Sequence, residues 1–81
     1  MKRFIVTVSE VIEGKRTSTR TGTFSNYRAA VRYAKTEVAF SGSIGIPAEA
    51  YIEGYEKLKG EKESRNIAEA AYSNAAGLTV Y

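Results

Sequence analysis

The side chains best able to do chemistry in this sequence are cations, and they cluster in the first half of the chain. Residues 1–40 hold eight Lys and Arg against three Glu, a net charge of +5, whereas residues 41–81 carry −2. Guanidinium and ammonium groups bind phosphates and carboxylates, so this concentration of cations predicts an anionic partner. Six cations are expected to share one surface of a hairpin and a helix: Lys15, Arg16, Arg20, Arg28, Arg32 and Lys35.

Three of these cations fall at helical spacing. Arg28, Arg32 and Lys35 stand at i, i+4 and i+7, which places them on one flank of a helix. One interpretation is a solvated face whose aliphatic stems cover apolar edges. The other is a positive ridge that binds phosphates or carboxylates. Tyr33 lies on a further face, where it either packs against later segments of the chain or supplies base stacking or an interface anchor.

The sequence lacks the residues that most enzymes and metal sites use. It contains no Cys, no His and no Asp, which excludes Ser–His and Cys–His pairs, Cys/His zinc sites and EF-hand loops. Glutamates remain, but Glu49, Glu53 and Glu56 are spaced as a solvated face of a predicted helix. We therefore expect a protein that is not an enzyme and binds no cofactor or metal.

Two stretches of alternating residues predict an N-terminal antiparallel β-hairpin. Residues 2–12 and 16–24 alternate with period two and are rich in β-branched residues, and Glu13-Gly14-Lys15 is the natural reversal between them. The second strand has a threonine face and an arginine face. Because threonine is easier to bury than arginine, we expect the threonine face to lie beneath the helix.

The central element is an amphipathic helix over Phe24–Phe40. Ser25 is expected to cap its start, and Gly42 is expected to end it in a left-handed conformation. Apolar residues recur at steps of three and four, so they form one stripe that should lie across the hairpin. The stripe consists of Tyr27, Ala30, Val31, Ala34 and Val38.

The second half of the chain predicts two further helices and a short strand. Ala48–Leu58 follows Pro47 at helical spacing, although the same residues also alternate as a strand would, with Tyr51 and Tyr55 on one face. The alanine content of Arg65–Ala76 favours a helix. The chain then ends in a predicted strand, Leu78-Thr79-Val80-Tyr81.

The predicted fold is therefore a single α+β domain over residues 1–81. Its N-terminal antiparallel hairpin is packed by the central helix, and two helices and a short C-terminal strand follow. At this length the chain has room for one modest hydrophobic core. The N-terminal apolar run breaks into alternation within a few residues, so no signal peptide is expected.

One short motif lies between the first two predicted helices. Gly42-Ser43-Ile44-Gly45 resembles the GxxG loop of KH domains, which clamps a nucleic-acid backbone between helices. That resemblance implies close backbone approach at the two glycines. The residues themselves favour an ordinary loop, because the variable pair contains neither Lys nor Arg.

The layout as a whole resembles small phage-encoded accessory proteins of the anti-CRISPR type. The resemblance rests on a short basic hairpin that leads into an alanine-rich helix, over residues 2–40 of a chain without catalytic groups. It implies a host-directed inhibitor that occupies a nucleic-acid or protein site on a larger machine.

These observations predict a non-catalytic binding protein, an inhibitor or accessory factor that docks its basic hairpin–helix surface on a macromolecular partner. The partner is expected to be a larger protein or a nucleoprotein complex, in the cytoplasm and not at a membrane. Direct nucleic-acid binding through the same residues is the alternative. A homodimer is left open, with the terminal strand edge as its main indication.

Overall fold

The computed structural model describes all 81 residues as a five-stranded antiparallel sheet with one helix on one face. The strand order is β2-β1-β3-β4-β5, so β2 and β5 form the two edges. No helix in the structure has the length and apolar character needed to cross a membrane. The elements are β1 (Lys2–Ile12), β2 (Lys15–Phe24), α1 (Tyr27–Ser43), β3 (Ala48–Glu56), β4 (Arg65–Ser73) and β5 (Gly77–Val80).

The N-terminal hairpin is confirmed. β1 and β2 pair antiparallel from Phe4 opposite Phe24 to Ile12 opposite Lys15, which leaves a two-residue loop. Its residues have positive φ values, 52° at Glu13 and 78° at Gly14. Positive φ at both central positions matches the right-handed twist of the flanking strands, and glycine adopts it without strain.

The central helix is also confirmed, with boundaries shifted by about one turn. Asn26, rather than Ser25, caps the helix and accepts a hydrogen bond of 2.8 Å from the backbone N–H of Ala29. The helix continues through Gly42 to Ser43. The positive φ expected at Gly42 occurs at Gly45, where it is 79°.

The two further helices predicted after α1 are wrong, because both stretches are strands. Ala48–Leu58 was compatible with either period, and the structure adopts the alternation, with β3 hydrogen-bonded between β1 and β4. The alanine-rich stretch becomes β4, since pairing with β3 outweighs a helix propensity of a few tenths of a kcal/mol per residue. Gly42–Gly45 consequently spans the C-terminal end of α1 and the start of the loop that leads to β3, so it does not join two helices as the KH loop does.

The hydrophobic core lies between α1 and the central strands. Small side chains dominate it, which lets the helix approach the sheet closely. Gly54 shows the same economy of space, because a Cβ atom there would lie 2.8 Å from the Phe4 ring. The fully assembled core consists of Phe4, Val6, Val8, Ala30, Ala34, Val38, Ala50, Ile52 and Ala70.

The expected burial of the threonine face of β2 is wrong. Thr19, Thr21 and Thr23 are exposed, while Arg20 pairs with Val8 and lies on the helix side of the sheet. A register shift between Val8 and Ser9 accompanies this arrangement. Arginine is tolerated there because glutamates from β1 and α1 surround its charge, a tertiary arrangement that β2 alone does not reveal.

Candidate partner-binding groove

A groove runs between one flank of α1 and the edge strand β5. The helix packs on β1 to β4, but no Cα atom of α1 lies within 8 Å of a Cα atom of β5. The sheet therefore extends beyond the helix that covers it. The space beside the helix has a volume of about 500 Å³ and is lined by Tyr27, Arg28, Val31, Arg32, Lys35, Thr36 and Leu78.

The cations of this groove have no carboxylate partner. Arg28, Arg32 and Lys35 are all exposed, and none of them forms an ion pair with a glutamate. Their aliphatic stems stand beside Val31 and Leu78, so the groove combines a positive rim with an apolar floor. We call this surface, with Tyr27, the basic groove. Such a surface is suited to an anionic segment that also carries apolar atoms.

The basic groove continues toward the C-terminal end of β5. A second depression of about 410 Å³ shares Tyr27 with the first and is almost entirely apolar. Val80 and Ile67 are 67% and 39% exposed there, so this end offers hydrophobic surface without a cation. Its lining consists of Phe4, Tyr27, Ile67, Ala68, Glu69, Val80 and Tyr81.

Tyr27 joins the two depressions and has an unsatisfied hydroxyl group. Its ring packs edge-on against Phe4, with ring centroids 5.8 Å apart. The hydroxyl oxygen is shielded from solvent and has no hydrogen-bond partner in the protein. A buried polar group without a partner costs about 1–3 kcal/mol, so the floor of the groove contains a local instability.

The opposite flank of α1 holds Arg20 in a network of carboxylates. Its Nε lies 2.6 Å from Glu37 Oε1, an ion-pair contact in which the N–H bond is not aligned for a hydrogen bond. One Nη donates to Ser41 Oγ at 2.8 Å, and the other lies 3.4 Å from Glu10. Ser41 in turn donates to Glu10 at 2.6 Å. We call these four residues the Arg20 cluster.

The Arg20 cluster changes the titration of Glu10. Donation by Ser41 lowers the pKa of Glu10, Thr19 and the charge of Arg20 lower it further, and burial opposes them. The carboxyl group therefore stays ionised and neutralises Arg20. The charge of Arg20, whose side chain is 28% exposed, is consequently compensated within the fold.

The other predicted site residues do not join the basic groove. Arg16 reaches across β1 to Glu49, 3.4 Å away, on the face of the sheet without the helix. Lys15 is exposed beside the hairpin turn on β2. Tyr33 packs against Phe24 with ring centroids 5.1 Å apart, on the β2 side of α1. The structure thus brings together only the three helix cations.

The uncovered face of the sheet carries an acidic centre that sequence reasoning missed. Glu53 and Glu69 face each other across β3 and β4, and like charges in that position are destabilising. The Tyr55 hydroxyl donates to Glu53 at 2.6 Å, which raises the pKa of Tyr55. Burial and the charge of Glu69 raise the pKa of Tyr51. The strand interpretation of Ala48–Leu58 was the signal that could have placed Glu49, Tyr51, Glu53 and Tyr55 together.

The signs of charge on the two faces differ. Carboxylates beside Tyr51 and Tyr55 repel phosphates, so these aromatic rings form a poor platform for nucleic-acid bases. The basic groove, in contrast, carries positive charge.

Comparisons of the chain with protein families, with curated proteins and with solved structures find no match.

Proposed function

We propose that this is a non-catalytic binding protein that docks its basic groove on an acidic surface of a macromolecular partner. One observation carries the proposal: three unpaired cations stand over an apolar floor that no element of the protein covers. The binding surface is the β5 side of α1, which narrows the larger hairpin–helix surface expected from the sequence.

The chemistry of the basic groove favours a protein partner. Arginine binds carboxylates in bidentate geometry, and interface cores are enriched in arginine and tyrosine. The apolar floor adds a hydrophobic contribution of about 25 cal/mol per Å² that is removed from water. A phosphate backbone would use the cations but would leave Val31 and Leu78 without apolar partners.

The proposed role is that of an inhibitor or accessory factor acting in the cytoplasm. The layout resemblance to phage-encoded proteins of the anti-CRISPR type supports inhibition by occupation of a site on a larger protein or nucleoprotein complex. A small domain can block such a site by steric exclusion and needs no catalytic group.

Direct nucleic-acid binding is the second candidate. It is favoured by the exposure of Arg28, Arg32 and Lys35 along one helix flank, since three cations in line can neutralise successive phosphates. In that case the logarithm of the affinity falls with the logarithm of salt concentration with a slope of about −2 to −3.

Affinity capture from the source cell with mass spectrometry, with and without nuclease, tests the proposal. The groove variant carries Arg28→Glu, Arg32→Glu and Lys35→Glu. A matched control carries Lys57→Glu, Lys59→Glu and Lys62→Glu in the exposed β3–β4 loop, so both variants change the net charge equally.

We expect a protein partner that the wild type and the loop control capture, that the groove variant loses and that nuclease treatment does not release. Equal capture by the groove variant contradicts the proposal. Release by nuclease favours the nucleic-acid alternative.

A further inference from the structure

The edge strand β5 exposes main-chain hydrogen-bonding groups beside the basic groove. The backbone N–H of Tyr81 donates to Glu69 O at 2.9 Å, so this residue faces β4. Alternate residues of an edge strand face the same way, hence Thr79 also faces β4. Leu78 and Val80 therefore direct their N–H and C=O groups away from the sheet.

The same two residues also contribute the apolar surface of the groove. Leu78 pairs with Tyr72 and Val80 with Ala70, so their side chains lie on the helix side of the sheet. Their exposed fractions are 37% and 67%. A chain that pairs with this edge would automatically place every second side chain over the groove.

The two edges of the sheet are protected to different degrees. Edge strands usually carry charges, proline or bulges that prevent pairing with other chains. β2 has Lys15, Arg16 and Arg20 and a register shift against β1. β5, with the sequence Gly77-Leu78-Thr79-Val80, is only four residues long, which limits pairing, but it carries no charge, proline or bulge. Its free edge is therefore the one suited to strand addition.

We propose that β5 accepts an extended segment of the partner as a sixth strand, acidic beside Leu78 and apolar beside Val80. This inference rests on the proposed function and adds the binding mode and the chemistry of the partner. Main-chain hydrogen bonds supply affinity, and the groove selects the alternate side chains.

The charge distribution along the groove fixes the order of side chains in that segment. The cations lie at the Leu78 end, whereas the Val80 end is apolar. Arg28 and Arg32 are four residues apart, a rise of about 6 Å along a helix. Side chains on one face of a strand repeat every ~6.8 Å. Two carboxylates at alternate positions of the segment therefore have nearly the same spacing as these two arginines.

Pairing of β5 with a second copy is disfavoured by the same charges. Two copies related by a twofold axis through this edge would place two cationic helix flanks on the same side of one continuous sheet. Like charges facing each other across a pairing surface oppose association. An acidic segment removes that repulsion, so the partner is a different chain.

The test uses two blocked synthetic octapeptides. In the first, threonine alternates first with two glutamates and then with two valines. The second has the same residues in reverse order. Amide hydrogen exchange and NMR chemical shifts report binding to the whole protein. We expect saturable shifts and at least about tenfold slower exchange at the amides of Leu78 and Val80. A peptide N-methylated at its alternate, pairing amides should not slow exchange.

Two substitutions at one position separate main-chain pairing from side-chain contact. Val80→Pro removes an N–H group that β4 does not use, while Val80→Ala keeps it. We expect Val80→Pro to weaken peptide binding about tenfold, corresponding to the loss of a main-chain hydrogen bond. Val80→Ala should weaken it less, and thermal unfolding confirms that both variants fold.

Equal binding by Val80→Pro and wild type overturns strand addition, as does equal binding of the N-methylated peptide or no binding at millimolar peptide. Protection of Leu78 and Val80 that grows with protein concentration without peptide identifies a second copy as the occupant and also overturns the inference. Shifts of the groove arginines by an octauridylate without protection of β5 assign the groove to nucleic acid.

The proposed function fails separately. If protein capture still depends on the three helix cations while strand addition fails, the binding function stands and only its mode is wrong. If capture is also independent of these cations, both are wrong.

Discussion

The two flanks of α1 carry the same kinds of charge in opposite states. On the β2 side, Arg20 lies between Glu10 and Glu37 and its charge is neutralised within the fold. On the β5 side, Arg28 and Arg32 have no carboxylate partner. The position of a cation relative to glutamates, and not the number of cations, therefore decides which charges remain uncompensated.

The apolar surfaces of the two flanks differ in the same way. On the β2 side, the ring of Tyr33 on the helix packs against the ring of Phe24 on the strand. On the β5 side the sheet continues past the helix. Leu78 lines the groove there, and no Cα atom of α1 lies within 8 Å of a Cα atom of β5. The β2 flank is therefore packed against the sheet, whereas the β5 flank leaves an open groove.

The largest expected effect concerns the Arg20 cluster on the β2 side of α1. Arg20→Ala leaves two carboxylates and Ser41 without their cation, and loss of one member of a partly buried ion network costs about 2–4 kcal/mol of unfolding free energy. Arg28→Ala is the matched control on the open flank and should change stability by less than about 0.5 kcal/mol. Urea unfolding measures both; equal effects would remove the distinction between the flanks.

The next effect concerns pH. The folded protein lowers the pKa of Glu10, so the ionised carboxyl stabilises the fold above the pKa of an unfolded glutamate, about 4.3. This contribution is lost as the pH falls through the lower, folded-state pKa. Glu10→Gln should therefore be less stable than wild type at pH 7, and the gap should narrow below about pH 4.

This prediction is checked by thermal unfolding of wild type and Glu10→Gln at steps of about half a pH unit between pH 2 and pH 7. Glu49→Gln is the control, because Glu49 forms an exposed ion pair with Arg16 that contributes little. A difference between wild type and Glu10→Gln that is independent of pH contradicts the proposed origin.

The smallest expected effect concerns the floor of the open flank. Tyr27→Phe removes a hydroxyl that has no partner and keeps the ring against Phe4, so it should raise the unfolding free energy by up to about 1 kcal/mol. Tyr33→Phe is the control for a general loss of tyrosine hydroxyl. Destabilisation by Tyr27→Phe would show that the hydroxyl has a partner in solution.

The parts of the fold that could be predicted from sequence are those that local interactions determine. The hairpin follows from alternation on both sides of Glu13-Gly14, and the terminal strand follows from its β-branched residues. The central helix follows from its apolar stripe, and its exact cap depended on which of two adjacent polar residues accepts from Ala29.

β3 and β4 were both predicted as helices, and only for the residues of β3 did the sequence also fit the period of a strand. Ala48–Leu58 satisfies both a helical and an alternating pattern. In the structure Gly54 makes room for the Phe4 ring, a contact between β3 and β1 that sequence spacing does not contain. Ala70 of β4 likewise belongs to the core beneath α1, and Ala68 packs against it.

The candidate site divides along the same line. Arg28, Arg32 and Lys35 are grouped by helical spacing alone, so their common flank was predictable. The neutralisation of the Arg20 charge within the fold depends on contacts with Glu10, ten residues earlier, and with Ser41, twenty-one residues later. Only the tertiary fold brings those groups together, and only the sheet order places β2 and β5 at opposite edges.

The availability of the helix cations can be measured without knowing the partner. We would titrate the isotope-labelled protein with a blocked octaglutamate peptide at low salt and follow the Nε–H resonances of its arginines by NMR. We expect saturable shifts for Arg28 and Arg32 and no shift for Arg20. Equal shifts for all three arginines, or none for Arg28 and Arg32, would contradict this expectation.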